Sequence, residues 1–382
     1  MRTLPRPIWL GLLAACGILA VLVIVARRLP QPRPESNPPD LSEHPIYSRY
    51  DLAAGDAIIH FGTQPLWAFA GNVNQAMARD LILREELGNL GMEIRFHSFL
   101  TGADINYFVE RGDVDGGICA DMALLRVAGR LPMVVPAMVD QGYDEIVARR
   151  ALRMEQLKGR RIGVPLGTST HHTLLEGLKL HGLSEAQVTV VPMDATEMAE
   201  ALAEKRIDAC GIWEPLTTAL LARCPGSAVI HRGRYLGFVC FTKSFADRHP
   251  EAVRLILAAQ VRAVAWMLRD RENVHRSTRW TAEACQALTP AMPFPYEAKH
   301  LTEMVIHASA ISRIPVIPSS AMADEGQLAR ELEFLRALGH LPDGVEWPAI
   351  RAMFDSAILL QIFADSGRYR LDEFRYEGRD TP

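Results

Sequence analysis

From about residue 57 the chain alternates short apolar runs with amphipathic stretches. Ile58-Ile59-His60-Phe61 leads into helical spacing over 71–87, then comes Met92-Glu93-Ile94-Arg95-Phe96, a helical stretch over 103–111 and Gly116-Gly117-Ile118. Short apolar runs bounded by turn residues predict strands, and segments of 3.6-residue period predict helices; their alternation predicts an α/β unit with a mainly parallel sheet. A second series opens at Arg161-Ile162-Gly163-Val164 and runs through a helix over 171–181, a strand over 188–191, a helix over 195–205 and a strand over 208–213. Two such series predict two lobes. The segment 250–268 reads as a strong amphipathic helix, and 276–360 holds helical segments broken by prolines, expected to pack around the first lobe.

The amino-terminal stretch has a different pattern. After Arg2 and Arg6, residues 8–26 carry no charge, and nineteen helical residues would span about 28 Å, the thickness of a bilayer's hydrocarbon core. Residues 1–26 are therefore expected to be an uncleaved signal-anchor, a transmembrane helix that ends at Arg27-Arg28. Leu13-Ala14-Ala15-Cys16 resembles a lipidation site, but the apolar run continues beyond the cysteine. Positive charge at both ends leaves the orientation open. Residues 27–45 contain Pro30, Pro32, Pro34, Pro38, Pro39 and Pro45 and predict an extended, polyproline-like linker.

Composition changes this picture little. With 382 residues, 49% of them hydrophobic and 23% charged, the chain is long enough for two lobes, each with its own core. Net charge is −4; without residues 1–26 it is −6, from 39 basic against 45 acidic side chains, which speaks against a nucleic-acid surface. The six cysteines form no C-x-x-C pair and no zinc-type spacing, so buried free thiols are expected, with one isolated bridge left open. There is no Gly-x-Ser-x-Gly elbow, no His-Glu-x-x-His and no Walker-type phosphate loop. The sequence therefore points to binding rather than enzymatic chemistry, with no cofactor and no metal.

The most informative stretch runs from Ile162 to His172, an apolar strand that passes through Gly167-Thr168-Ser169-Thr170 into a helix. The first turn of a helix leaves backbone N–H groups without intrahelical partners, and the aligned peptide dipoles put partial positive charge there. Gly167 allows close approach, and the hydroxyls of Thr168, Ser169 and Thr170 add donors or caps, so the turn suits a sulfonate, phosphate or carboxylate. Equally, Ser169 or Thr170 could cap an ordinary helix. His171 is a further donor candidate whose titration would tie affinity to pH. His171-His172 does not suit a metal, since successive helical residues point about 100° apart. In open α/β sheets ligands lie beyond the carboxyl ends of strands, which adds 62–67, 99–101, 119–121 and 213–214 to the ligand-facing positions.

Four segments carry a family resemblance: Glu110-Arg111-Gly112-Asp113-Val114-Asp115-Gly116-Gly117; Leu157-Lys158-Gly159-Arg160-Arg161-Ile162-Gly163-Val164 leading into Gly167-Thr168-Ser169-Thr170-His171; Ile207-Asp208-Ala209-Cys210-Gly211-Ile212-Trp213-Glu214-Pro215; and Phe245-Ala246-Asp247-Arg248-His249-Pro250-Glu251. In order and spacing the chain resembles the substrate-binding proteins of taurine, aliphatic-sulfonate, nitrate and thiamine-precursor ABC importers, over residues 57–365. The resemblance implies a two-lobed periplasmic-binding-protein type II fold with the ligand cleft between lobes. Lobe 1 would comprise 46–145 and 240–382, lobe 2 would comprise 146–239, and crossing strands near 145–149 and 236–241 would form a hinge that closes.

In such a clamp Thr168 to His171 would hold the anionic head group and Trp67 and Trp213 would enclose the ligand, although both tryptophans are also residues a core would bury. Gln64 and Thr101 are lesser candidates. Asp121 or Glu214 would pair with a ligand ammonium if either reached the cleft, the alternative being a surface or hinge carboxylate. The implied role is an extracytoplasmic, membrane-anchored component that delivers a small anionic solute to an ABC permease and its ATPase. A tethered ligand sensor is the alternative, and a fold-related enzyme of menaquinone or thiamine-precursor metabolism is disfavoured by the missing motifs.

Overall fold

A computed structural model describes residues 40–53, 55, 57–290 and 315–378. The expected membrane helix over 1–26 and most of the linker over 27–45 lie outside the described residues. Among the described residues no helix is long and apolar enough to cross a membrane. Folding starts slightly earlier than the proline pattern suggests: Leu41–Glu43 makes a 3-10 turn, and Leu41 and Ile46 pack on the core.

The first series becomes β1 (Ile58–Thr63), α1 (Ala68–Ala78), α2 (Leu81–Asn89), β2 (Glu93–Ser98), α3 (Gly102–Arg111), β3 (Gly116–Ala120), α4 (Asp121–Ala128) and the long β4 (Met133–Ala148). The single helix expected over 71–87 is two, because the Asp80 carboxylate accepts the amides of Ile82 and Leu83 and caps a new start there. The second series becomes β5 (Arg161–Val164), α5 (Ser169–Leu180), β6 (Thr189–Pro192), α6 (Met198–Ala203), β7 (Ala209–Trp213), α7 (Leu216–Arg223) and the long β8 (Ala228–Thr242). Beyond it lie α8 (Lys243–Arg248), α9 (Pro250–Arg269), α10 (Arg271–Leu288), α11 (Gln327–Ala337) and two short helices, Trp347–Arg351 and Ala357–Ala364.

All eight strands form one sheet in the order β2-β1-β3-β8-β4-β7-β5-β6. Its outer parts are parallel, β1 with β2 and β3, and β5 with β6 and β7, as the alternation predicts. Its centre is not. β8 runs antiparallel to β3 and β4, and β4 runs antiparallel to β7, so the sheet is mixed rather than mainly parallel. The reason is length: sixteen extended residues cover about 50 Å, and β4 and β8 each run from one half of the sheet into the other. The polar stretch Asp140-Gln141-Gly142-Tyr143-Asp144-Glu145 breaks the apolar pattern that would have announced so long a strand.

The segments read as connectors lie inside the halves. Asp144–Ala148 of β4 is already paired with β7, and Gly237–Phe241 of β8 with β3. Between them the two strands pair only with each other, at Gln141↔Leu236, Gly142↔Tyr235 and Tyr143↔Arg234. The described residues from Leu41 onward form one compact unit. The carboxy-terminal helices touch both halves rather than the first alone: Leu328 and Leu332 of α11 join the core cluster that holds α4, while Phe334 stands edge-on to His172 of α5 at 4.5 Å.

Candidate functional site

Where the two halves meet, a small cavity is lined by Gln64, Trp67, Thr101, Gly102, Ala120, Ala123, Asp144, Thr168, Ser169, Trp213 and Tyr235. Most come from a strand end or a helix start, while Asp144 and Tyr235 lie inside the long strands β4 and β8. Six of the residues expected from sequence are brought together here: Gln64, Trp67, Thr101, Thr168, Ser169 and Trp213.

The tryptophans are fixed by their indole N–H groups. Trp67 Nε1 donates to Asp140 Oδ2 at 3.1 Å and to Tyr235 Oη at 2.9 Å, and Tyr235 Oη donates to the same carboxylate oxygen at 3.0 Å. Trp213 Nε1 donates across the junction to the Leu66 carbonyl at 3.0 Å, and beside it the Ala68 amide donates to the Glu214 carbonyl at 3.2 Å. The rims are thus in direct contact. Trp67 fits because position 237 is glycine: a Cβ there would lie 2.4 Å from Trp67 Cη2.

α5 starts as its sequence predicts. Thr168 is the N-cap, and its Oγ1 accepts the His171 amide at 3.4 Å. The amides of Ser169 and Thr170, on the first turn, meet no acceptor among the described residues. Gly167 has φ of +75°, a conformation that favours glycine, and the Arg126 guanidinium packs against it.

The remaining candidates do not line the cavity. Gly167 lies behind the turn. Thr170 is fully buried and donates its hydroxyl to Asp144 Oδ1 at 2.9 Å. His171 Nδ1 accepts the Gly167 amide at 3.3 Å; burial, then the positive neighbours His340, His172 and Arg126, push its pKa down to about 4. It is therefore neutral at physiological pH, which removes the expected histidine titration of affinity. Asp121 turns inward, accepting Leu236 N, Met122 N and Gln327 Nε2, and burial raises its pKa to about 7. Glu214 folds back onto α7, accepting both the amide and the hydroxyl of Thr218.

Sequence reasoning missed Asp144 and Tyr235, both inside the long strands β4 and β8. Asp144 is the one charged residue among those lining the cavity. Burial raises its pKa to about 7, opposed by the hydroxyls of Ser169 and Thr170 and reinforced by the charges of Asp121 and Glu145. Among the described residues no group of three or more His, Cys, Asp or Glu side chains is placed to hold a metal.

This architecture, a sheet of two α/β halves joined by two long strands with a cavity at the junction, is the fold of periplasmic solute-binding proteins. It is similar to the alkanesulfonate-binding protein SsuA of Xanthomonas axonopodis pv. citri bound to MOPS, with a TM-score of 0.60 at 20% identity over 79% of this chain and 99% of that one. At that identity the likeness shows the fold. The sequence profile of the NMT1-like family matches residues 67–282, over half of the chain, and the chain belongs to that family.

Among curated proteins, a binding protein of Brucella abortus (strain 2308) is 32% identical over 157 residues, 38% of this chain and 49% of the relative. The chain thus spans about half the length of that relative. The taurine-binding periplasmic protein of Escherichia coli (strain K12) is 27% identical over 259 residues, 61% of this chain and 79% of the relative.

Proposed function

We propose that this chain is the solute-binding component of an ABC importer, working outside the cytoplasmic membrane and capturing a small sulfonate-like anion for delivery to a permease and its ATPase. The observation that carries the reading is the cavity at the junction of the halves, where the start of α5 at Thr168 and Ser169 stands beside the walls formed by Trp67, Trp213 and Tyr235. Amides at a helix start favour negative charge, and aromatic walls suit a short alkyl body. The names of the relatives, taurine-binding in one and alkanesulfonate-binding in the other, support the same class of ligand. Nitrate is a weaker candidate, because a bare oxyanion leaves the aromatic walls unused.

In this reading 46–145 with 240–382 forms one lobe and 146–239 the other, and they close on the solute by bending where β4 and β8 pair only with each other. The hydrogen bonds from Trp213 to Leu66 and from Ala68 to Glu214 are then latches of the closed form. The apolar segment 1–26 tethers the protein at the membrane. No bond is made or broken in the solute.

The test is calorimetry and thermal unfolding of the full chain in mild detergent with ethanesulfonate, taurine and nitrate. A ligand that binds only the native state raises the melting temperature, by about 2.7 kcal/mol of stabilisation at a hundredfold excess over Kd. Sulfonates should bind and stabilise. No heat and no shift with any of them would refute the reading.

A further inference from the structure

Where β8 crosses from one half of the sheet to the other, it loses a neighbour. β3 accompanies it only as far as Ala120↔Gly237. In an extended strand alternate residues turn their N–H and C=O to the same side, so the next groups on that edge, at Leu236 and Arg234, face the place that β3 has left. Backbone donors and acceptors need partners, and a strand edge without them is open to any other strand.

Side chains fill the gap. The Leu236 amide donates to Asp121 Oδ2 at 2.7 Å, and the Arg234 carbonyl accepts Gln327 Nε2 at 3.1 Å. The same Gln327 nitrogen lies 3.1 Å from Asp121 Oδ2 and 2.9 Å from Glu331 Oε1, so its two N–H groups tie the three oxygens together. Asp121 opens α4 directly after β3, and Gln327 and Glu331 stand one turn apart on α11. Burial, and then the neighbouring Asp121 charge, push the Glu331 carboxyl well up, so it stays protonated and adds no second charge to the cluster.

α11 is itself anchored on either side of the crossing. Leu328 and Leu332 are buried in the core cluster that holds Leu124 and Leu125 of α4. One turn further on, Phe334 and Leu338 pack on the cluster of Ile162, Val164 and Leu174 in the second half. Any bend of β8 at 234–236 therefore has to move against a helix that both halves hold.

We propose that Gln327 is a positioning residue of the hinge: with Asp121 and Glu331 it braces the open edge of β8 where only β4 and β8 join the halves, and so sets how far the halves part. This rests on the lobe closure in the reading above and not on the identity of the solute.

Gln327→Met keeps the length and helix preference of the side chain and removes both N–H donors. Gln327→Asn is too short to reach β8 and should behave alike, so the test does not hang on one variant. Spin labels at Leu90→Cys and Leu180→Cys, exposed sites on the first and second halves, read the distance between the halves in the full chain without solute. A Cys16→Ser background keeps the labels to these sites, since the other native cysteines are buried. Either Gln327 variant should broaden the distance distribution toward longer separations. It should also speed hydrogen exchange over 234–236 about tenfold, the weight of one hydrogen bond, with exchange in β1, β2, β5 and β6 unchanged. Glu331→Gln, which keeps an oxygen for Gln327, should leave the distances as in the wild type. An unchanged distribution in both Gln327 variants overturns the brace. So does faster exchange across the whole first half, which marks lost packing rather than a freed hinge. None of these readouts uses a solute, so the brace fails separately from the solute-binding reading, which falls if calorimetry shows no binding.

Discussion

Two helices begin at the cavity, one from each half of the sheet, and their starts are finished differently. At α3, Thr101 Oγ1 accepts the Asp104 amide while Asp104 Oδ2 accepts the Thr101 amide and the Tyr47 hydroxyl, a closed capping box with the chain's own carboxyl at its centre. At α5, Thr168 caps in the same way, but the residue three places on is His171, which turns away to Gly167. Both starts leave the amides of their first two residues, Gly102 and Ala103 at α3 and Ser169 and Thr170 at α5, without an acceptor among the described residues, but α3 has a carboxyl of the chain at its third position and α5 does not. A negative group at the second start would therefore meet no carboxyl of its own capping box. In the proposed function this difference makes the α3 start a structural element and leaves the α5 start to receive the anion.

The largest effect should come from closing the second start sterically. Ser169→Leu fills the cavity wall and should weaken ethanesulfonate by a hundredfold or more in calorimetry, with the melting temperature of the free protein little changed. Next, His171→Glu gives α5 the internal carboxylate that α3 has. It should compete with the external anion and cost about tenfold in affinity, in line with the one to two kcal/mol a well-placed charge is worth at a helix start. Gly237→Val pushes against Trp67 and should cost about 1–3 kcal/mol of stability, read by denaturant unfolding, along with a few-fold loss of affinity.

The two starts should also differ in their response to pH. Asp144, held near 7 chiefly by burial, becomes negative as pH rises from 6 to 8 and should weaken ethanesulfonate a few-fold over that range. His171, neutral above about 4, contributes nothing in this window. The smallest effect on binding belongs to the closed start: Asp104→Ala removes the box and should cost about 1–2 kcal/mol of stability with solute affinity unchanged.

How far the sequence reached follows the same division between local and long-range structure. The β5–turn–α5 unit was legible because its signals are local: an apolar strand, a positive-φ glycine and a run of hydroxyl residues. Gln64, Trp67, Thr101 and Trp213 were reachable because strand ends in α/β sheets converge. The two long strands were not legible. Their central residues are polar because they face a cavity and each other rather than a core, so Asp140, Asp144 and Tyr235 broke the apolar alternation that marks a strand. Asp121 was misjudged for a related reason: position next to a strand end fixes the neighbourhood of a side chain but not its direction, and Leu236 N and Gln327, far away in sequence, hold it inward.

The central claim is that the open start of α5 holds the anion, and the position of a sulfonate sulfur tests it most directly. In a crystal structure of the chain grown with ethanesulfonate, the account predicts the sulfur about 4 Å or less from the amide nitrogens of Ser169 and Thr170, with its oxygens at hydrogen-bond distance. A sulfur bound instead at the α3 start beside Gln64 and Thr101, or outside the cavity altogether, would contradict it.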